Sequence, residues 1–114
     1  MHELAIVEAL LETIVPKAEK SGAEKILEVN FHIGEMSGIV PSCIHEYFEL
    51  ASKGTIAEGA KIRLTEVPAQ IACRACGYKG IPDKKNYCCP ECQSLDIRLT
   101  SGREYYIENL VVEY

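Results

Sequence analysis

Four of the six cysteines form two C-x2-C units, C-R-A-C at 73–76 and C-P-E-C at 89–92, with twelve residues between them. Each unit is a tight turn that directs two sulfurs at one point. Four thiolates that converge tetrahedrally are the usual ligands of a closed structural zinc site. The spacing therefore predicts a structural Zn(II) site made of Cys73, Cys76, Cys89 and Cys92. A rubredoxin-like iron site shares this pattern and is the alternative, whereas a redox dithiol needs only one such unit.

Cys88 leaves one ambiguity, because it could replace Cys89 with a C-x3-C spacing. We favour Cys89, since Pro90 then lies within the two-residue turn. Cys43 and Cys88 are predicted to be spare thiols. The segment around the cysteines has few large aliphatic side chains, so it cannot form a core alone and needs the metal for stability.

The N-terminus offers a second and different set of metal ligands. The Nδ1 atom of His2 and its own amide nitrogen would close a six-membered chelate ring, and the Met1 amine would close a five-membered ring with the same amide. A planar set of nitrogens suits Ni(II) or Cu(II) and leaves one position open for transfer. Taken alone, a histidine at position 2 is usually just an exposed residue. His32 is predicted to lie on the polar face of its strand, and His45 to be a solvated side chain on its helix.

Composition limits the function classes. The chain has 114 residues, seventeen acidic and twelve basic, and its net charge of −5 argues against a general nucleic-acid binder. Its apolar stretches are too short to span a bilayer, and no secretory signal is evident, so we expect a cytoplasmic protein without membrane contact. There is no Ser/His/Asp order, no phosphate-binding glycine loop and no open zinc site, so no enzymatic activity is predicted.

Periodicity predicts the elements that position these ligands. A helix is expected from residue 3 to about 20, with an apolar stripe that includes Leu4, a kink or break at Pro16, and an end at Gly22. Residues 25–34 alternate as a strand, with Leu27 on the buried side. A second helix follows Pro41, then a strand at about 60–67, and a long final strand from Glu104.

The predicted fold class is therefore α+β. A small three-stranded sheet carries two helices on one face, and a zinc-ribbon-like module is inserted before the last strand. In this division, residues 1–68 and 102–114 form a nickel-binding α/β domain and residues 69–101 form the zinc-binding module. The module also has a local basic patch of Arg74, Lys79, Lys84 and Lys85. This patch is interpreted either as a docking site or as a solvated loop.

The initiating Met-His-Glu, the loop I-G-E-M-S-G-I-V-P, the stretch E-G-A-K-I-R-L-T-E-V-P-A and the paired cysteines together resemble the HypA/HybF family of hydrogenase nickel-incorporation proteins. The match runs in order over essentially the whole chain. This resemblance implies a nickel-binding domain and a zinc domain without catalytic activity. It implies delivery of Ni(II), as transferable cargo, to [NiFe]-hydrogenase, and in some organisms to urease.

By position, the resemblance makes His2 the nickel ligand and Glu3 the neighbour that contributes to or shapes the site. It makes Cys73, Cys76, Cys89 and Cys92 the zinc ligands. The implied partners are a hydrogenase-maturation GTPase, the [NiFe]-hydrogenase large subunit and urease accessory proteins, with the chain a monomer or weak homodimer. The alternative function is a zinc-ribbon module that binds protein or nucleic acid and has no nickel role.

The sequence departs from the family pattern at two positions. Gln93 follows the second C-x2-C where many members have glycine, which predicts a slightly different second turn. The other departure is Pro16, in the first helix. If a further nickel ligand comes from the loop after Gly34, only Glu35, Ser37 or a backbone group is available there.

Overall fold

The computed structural model describes residues 2–114, which form two helices and six strands. In chain order these are α1 (Glu3–Lys20), β1 (Lys25–Gly34), α2 (Pro41–Ala51), β2 (Lys61–Val67), β3 (Gln70–Cys73), β4 (Lys79–Gly80), β5 (Ile97–Ser101) and β6 (Tyr105–Glu113). Within residues 2–114, neither helix has the length and apolar character needed to cross a bilayer. The chain divides into two compact units.

The first unit comprises the residues up to His32 together with Ile39–Thr65 and Tyr106–Tyr114. Its three-stranded sheet has the order β2-β1-β6, and α1 packs against α2. The side chains that are almost fully buried come from both helices and from β1, which shows that the helices cover the apolar face of the sheet. They include Val7, Ile14, Ile26, Val29, Ile44 and Phe48. The predicted α+β class, with a three-stranded sheet and two helices, is confirmed.

The other face of this sheet is polar. His32 pairs with Glu108 and stacks on Tyr106, with ring centroids 4.9 Å apart. Asn30 donates a hydrogen bond of 2.5 Å to Asn109. These cross-strand pairs bring β1 and β6 together in antiparallel order. His32 therefore lies on the polar face of its strand as predicted, but it has side-chain partners there.

Helix α1 continues through Pro16, so it does not break there. Proline removes the hydrogen bond that would run to the carbonyl of residue 12, and both Pro16 and Glu12 are exposed, so water can satisfy that carbonyl. Helix α1 ends at Lys20, and Gly22, the predicted stop signal, follows its C-cap residue with a φ of 89°. The N–H groups of Gly22 and Ala23 donate to the carbonyls of Glu19 and Ala18, both at 3.0 Å, which is the Schellman arrangement.

Two side chains were assigned to the wrong side by periodicity. Leu4 is 46% exposed, and Leu10 takes a place in the buried stripe of α1. In β1 Ile26 is buried and Leu27 is 39% exposed, whereas Val29 and Phe31 are buried as predicted. The alternation in β1 therefore changes phase by one residue between Ile26 and Val29, which a simple two-residue period cannot represent.

The second unit comprises Ile33–Gly38 and Glu66–Tyr105. It contains a separate three-stranded antiparallel sheet of order β4-β3-β5, which the sequence analysis did not predict. The short segment 33–38 is held in this unit by main-chain bonds. Glu35 donates to the carbonyl of Val67 at 2.8 Å, and Met36 donates to the carbonyl of Gly102 at 2.6 Å.

Two glycines allow the backbones of this unit to approach one another. A Cβ atom on Gly34 would lie 2.2 Å from the carbonyl oxygen of Gly102. A Cβ atom on Gly102, whose φ is 111°, would lie 2.7 Å from the Cα atom of Ala69. Since real Cβ atoms do not make contacts this short to backbone, glycine is required at both positions.

Candidate metal centres

The four cysteines of the two C-x2-C units lie together in the second unit. All four Sγ atoms lie within 4.8 Å of one another. Cys73 and Cys92 have their sulfurs 3.7 Å apart, and those of Cys76 and Cys89 are 3.6 Å apart. A tetrahedral Zn–S₄ site with bonds of about 2.3 Å has sulfurs separated by about 3.8 Å, so these four side chains fit such a metal.

Both C-x2-C turns have the same backbone hydrogen bonds. The N–H of Cys73 donates to the carbonyl of Tyr78 at 2.8 Å, and the N–H of Cys89 donates to that of Ser94 at 3.0 Å. In return, the carbonyls of Cys73 and Cys89 accept from Gly77 at 3.0 Å and from Gln93 at 2.8 Å. The two turns are therefore equivalent knuckles that present their sulfurs in the same way.

The fourth residue after each first cysteine has a positive φ, 82° at Gly77 and 59° at Gln93. The slightly different second turn expected from Gln93 is not observed, because Gln93 adopts the conformation that glycine favours. A side chain in this region costs about 1 kcal/mol or more. The Gln93 side chain offsets part of that cost by donating to the carbonyl of Pro90 at 3.3 Å.

Replacing Gln93 with glycine is therefore expected to stabilise the second unit, by up to about 1 kcal/mol. The reciprocal change, Gly77→Ala, introduces a Cβ at the equivalent position and should destabilise it by a similar amount. Denaturant unfolding of both variants with the metal bound measures the two effects. Equal destabilisation by both changes would show that backbone strain at Gln93 is negligible.

The four cysteines of the cluster can all be thiolates only when a metal ion is bound among them. Backbone N–H groups of Cys76 and Ala75 lower the pKa of the Cys73 thiol to about 7. For Cys76 the N–H of Tyr78 acts in the same direction, but burial and the neighbouring sulfurs outweigh it and raise the pKa to about 12. Four adjacent thiolates therefore require a cation among them, and metal binding must release protons.

Cys88 and Cys43 do not belong to this cluster. Cys88 is buried beside Cys89, and its carbonyl accepts from the N–H of Asp83 at 2.9 Å. Burial raises the pKa of its thiol. Cys43 is half-buried on α2, in the first unit. The structure therefore brings Cys89, and not Cys88, to the other three sulfurs.

His2 is the N-cap residue of α1, and its side chain is exposed and makes no capping hydrogen bond. Its carbonyl accepts the N–H of Ile6 at 3.1 Å, which starts the helix. The amide groups at the start of a helix have no acceptor within the helix itself. The Met1 amine, named above as a further nitrogen, lies outside the described residues.

Glu3 is only 6% exposed, and its Oε2 accepts the backbone N–H of Val40 at 2.9 Å. Val40 is the N-cap residue of α2, so this carboxylate joins the beginnings of the two helices. The hydrogen bond from Val40 lowers the pKa of Glu3. The partner lies 37 residues away in the chain, and no sequence signal indicated it.

Because the folded-state pKa of Glu3 is lowered, its stabilisation is present above the unfolded pKa and is lost as pH falls through the folded pKa. Replacing Glu3 with glutamine keeps an oxygen acceptor but removes the charge. We expect Glu3→Gln to lower the melting temperature at pH 7, with the difference from the parent chain shrinking as pH falls below about 4. Glu8→Gln, an exposed carboxylate on the same helix, is the control and should change little.

Glu35 and Ser37, in the loop after β1, already have partners. The Oε1 atom of Glu35 accepts the N–H of Ala69 at 2.9 Å, and Oε2 lies 3.0 Å from the Lys84 ammonium. These contacts lower the pKa of Glu35. Ser37 donates its hydroxyl to the carbonyl of Gly34 at 2.7 Å. Both residues were predicted to be available as ligands, but their oxygens already have partners within the protein.

The predicted basic patch is reduced by internal ion pairs. Arg74 pairs with Asp96 at 3.2 Å, and Lys84 pairs with Glu35. Among residues 2–114, no ion pair involves the side chain of Lys79 or Lys85. The charges of Arg74 and Lys84 are therefore partly compensated within the protein, whereas those of Lys79 and Lys85 remain for a binding partner.

Comparison with known proteins establishes the family. The family model described as "Hydrogenase/urease nickel incorporation, metallochaperone, hypA" matches residues 1–112. The chain belongs to the HypA family. Among curated HypA proteins, the hydrogenase maturation factor HypA of Dehalococcoides mccartyi strain CBDB1 is 40% identical over 113 residues, covering 99% of this chain and 95% of that protein. The HypA of Methanocaldococcus jannaschii is 37% identical over 122 residues, with 100% and 98% covered.

Two solved HypA structures have the same fold. The solution structure of the Ni metallochaperone HypA from Helicobacter pylori superposes with a TM-score of 0.69 at 25% identity, covering 99% of this chain and 98% of that one. A second solution structure of a HypA protein gives a TM-score of 0.75 at 25% identity, with 98% and 96% covered. The resemblance read from Met-His-Glu and the cysteine pairs is thus confirmed.

Proposed function

We propose that this chain is a nickel metallochaperone that binds one Ni(II) at its N-terminus and delivers it for maturation of [NiFe]-hydrogenase, with urease as a further client. The family match over residues 1–112 carries this proposal, because it includes the N-terminal residues as well as the cysteine unit. The curated relatives are named hydrogenase maturation factors, which supports hydrogenase as the main client.

The nickel ligands we propose are the Met1 amine, the amide nitrogen of His2 and its Nδ1 atom, with Glu3 shaping the site. The exposed side chain of His2 at the start of α1 supports this set, since a transferable metal must be reachable by a partner. A deprotonated amide carries negative charge, which the positive end of the α1 dipole stabilises. The nitrogens then form a planar set, with the remaining position open to a partner.

The role of Glu3 is indirect in this proposal. Its carboxylate is almost fully buried and is hydrogen-bonded to Val40, so the side chain is not directed at a surface metal. Instead it fixes the first turn of α1 and therefore the positions of the amides beside His2. Glu3 is a positioning residue for the nickel site.

We further propose that Cys73, Cys76, Cys89 and Cys92 hold one structural Zn(II). Two close sulfur–sulfur contacts support this, because each joins one C-x2-C turn to the other. They are the contacts of Cys73 with Cys92 and of Cys76 with Cys89. When bound, zinc cross-links the two turns and neutralises their thiolates. A closed set of four protein ligands leaves no position for substrate, so we propose no catalytic activity for this centre.

The proposed partners are a hydrogenase-maturation GTPase, the [NiFe]-hydrogenase large subunit and, where urease is a client, urease accessory proteins. The place of action is the cytoplasm, and the chain acts as a monomer or weak homodimer. In transfer, the partner completes the coordination of nickel at the open position and then displaces the nitrogens of Met1 and His2.

The test is calorimetric nickel titration of the zinc-loaded chain with Met1 as its free N-terminus, accompanied by metal analysis. We expect one nickel to bind per chain while one zinc is retained. Nickel that binds only after zinc is removed would place the cargo at the cysteines instead. A zinc-loaded chain that takes up no nickel would refute the proposal.

A further inference from the structure

One face of the small sheet in the second unit carries two cations, Lys79 and Arg98, on either side of Ala72. Ala72 of β3 is paired across the sheet with Lys79 of β4 on one side and with Arg98 of β5 on the other. Residues directly opposite in antiparallel strands project from the same face. Neighbouring strands lie about 4.8 Å apart, so the Cα atoms of Lys79 and Arg98 are separated by about 10 Å, with only the methyl group of Ala72 between them.

This arrangement makes a cleft of about 350 Å³. It is lined by Gln70, Ile71, Ala72, Lys79, Gly80, Arg98 and Thr100. Gln70 and Thr100 add neutral hydrogen-bonding groups to the two cations, and none of the seven residues is a carboxylate. Ile71, by contrast, is only 2% exposed, so its side chain is buried in the second unit.

Part of the basic charge of the second unit is compensated by ion pairs, and the two cations of the cleft are not among the compensated residues. Among residues 2–114, neither Lys79 nor Arg98 takes part in an ion pair, whereas Arg74 and Lys84 of the same unit do. The second unit has six basic and six acidic residues, and the first unit has six and eleven. Two adjacent uncompensated cations on an acidic chain form a local surface of opposite sign, which is complementary to an external anion.

We propose that this cleft, defined by Lys79, Ala72, Arg98, Gln70 and Thr100, binds an acidic segment of a partner protein. One carboxylate or phosphate cannot supply each of the two cations with a separate anionic partner. An extended segment can, because acidic residues two apart in a strand lie about 7 Å from each other. Nucleic acid is disfavoured because two cations neutralise only about two phosphates, which releases few of the counterions that drive binding to a phosphate backbone. The proposal is independent of the nickel site.

The test uses the full-length, zinc-loaded chain and a fluorescent twelve-residue peptide in which glutamate alternates with glycine and serine. Fluorescence anisotropy at about 20 mM salt should show binding that weakens as salt increases, since the Debye length shortens. The same peptide with glutamine in place of glutamate should not bind. In amide NMR spectra, the acidic peptide should shift the signals of Ala72 and Thr100.

Charge reversal of the two cations, K79E with R98E, should weaken peptide binding at least about tenfold. The matched control is K53E with K85E, which has the same net charge but changes exposed cations outside the cleft, and it should alter binding less than about twofold. Ala72→Val fills the floor of the cleft without changing any charge and should also weaken binding. Metal content verifies that each variant keeps its zinc.

Several results would overturn the proposal. Equal weakening by both double variants would indicate a general charge effect, and no weakening by K79E with R98E would place binding elsewhere. Inorganic phosphate that displaces the peptide at submillimolar concentration would indicate a small-anion site. A single-stranded oligonucleotide that binds more tightly than the peptide would indicate a nucleic-acid surface.

Discussion

Replacing Cys89 with serine is expected to abolish zinc binding and to unfold the second unit. Cys89 is fully buried, and its sulfur is 3.6 Å from that of Cys76. The unit has few buried aliphatic side chains beyond Ile71, so we expect the proposed zinc to supply much of the stability that a larger core would give. Structural zinc contributes on the order of 10 kcal/mol of apparent folding energy at pH 7, which is more than such a unit can lose.

Zinc content and amide NMR measure this effect together. The variant should contain no zinc, and signals from β3, β4 and β5 should collapse to the narrow range of an unfolded chain. Signals from the first unit should persist, because its own core includes Val7, Val29 and Phe48. Removing zinc from the parent chain with a chelator should reproduce the same spectrum.

Cys88→Ser is the matched control. It changes the adjacent buried cysteine, whose sulfur is not one of the four in the cluster. It should keep one zinc per chain, with a smaller loss of stability that comes from placing a hydroxyl in a buried position. If Cys88→Ser lost the zinc while Cys89→Ser kept it, the assignment of the fourth ligand would be wrong.

The sequence predicted the cysteine cluster because the ligand spacing is local. Each C-x2-C turn is formed within six consecutive residues. The same hydrogen bonds occur at Cys73 and at Cys89, so the sequence pattern alone is sufficient to predict the turn. The three strands of the small sheet, β3, β4 and β5, were not predicted. β4 has only two residues, Lys79–Gly80, which is too short for any alternation, and it exists because β3 provides a pairing edge.

The two carboxylates that organise the loops were also beyond sequence reasoning. Glu3 accepts from Val40 and Glu35 accepts from Ala69, at separations of 37 and 34 residues. Backbone N–H groups occur at almost every residue and leave no compositional mark. The sequence could therefore name Glu3 and Glu35 as candidate ligands, but only the tertiary fold shows that their oxygens are used by the protein itself.

The second large effect concerns the cargo site. Replacing His2 with alanine is expected to weaken nickel binding by about a hundredfold or more, because it removes one nitrogen and one chelate ring from the proposed planar set. His2 is exposed and makes no capping hydrogen bond, so its loss should leave the fold and the zinc content unchanged. Nickel titration calorimetry of the zinc-loaded chain measures the difference.

Two further variants separate the N-terminal chelate from adventitious imidazole binding. His45→Ala changes another exposed histidine, on α2, and should not affect nickel affinity. Adding Gly-Ser before Met1 keeps all three histidines but converts the Met1 amine to an amide, and it should weaken binding as strongly as His2→Ala. An extended chain that binds nickel like the parent chain would show that the amine is not a ligand. If His2→Ala bound nickel with the affinity of the parent chain, the cargo site would not be at the N-terminus.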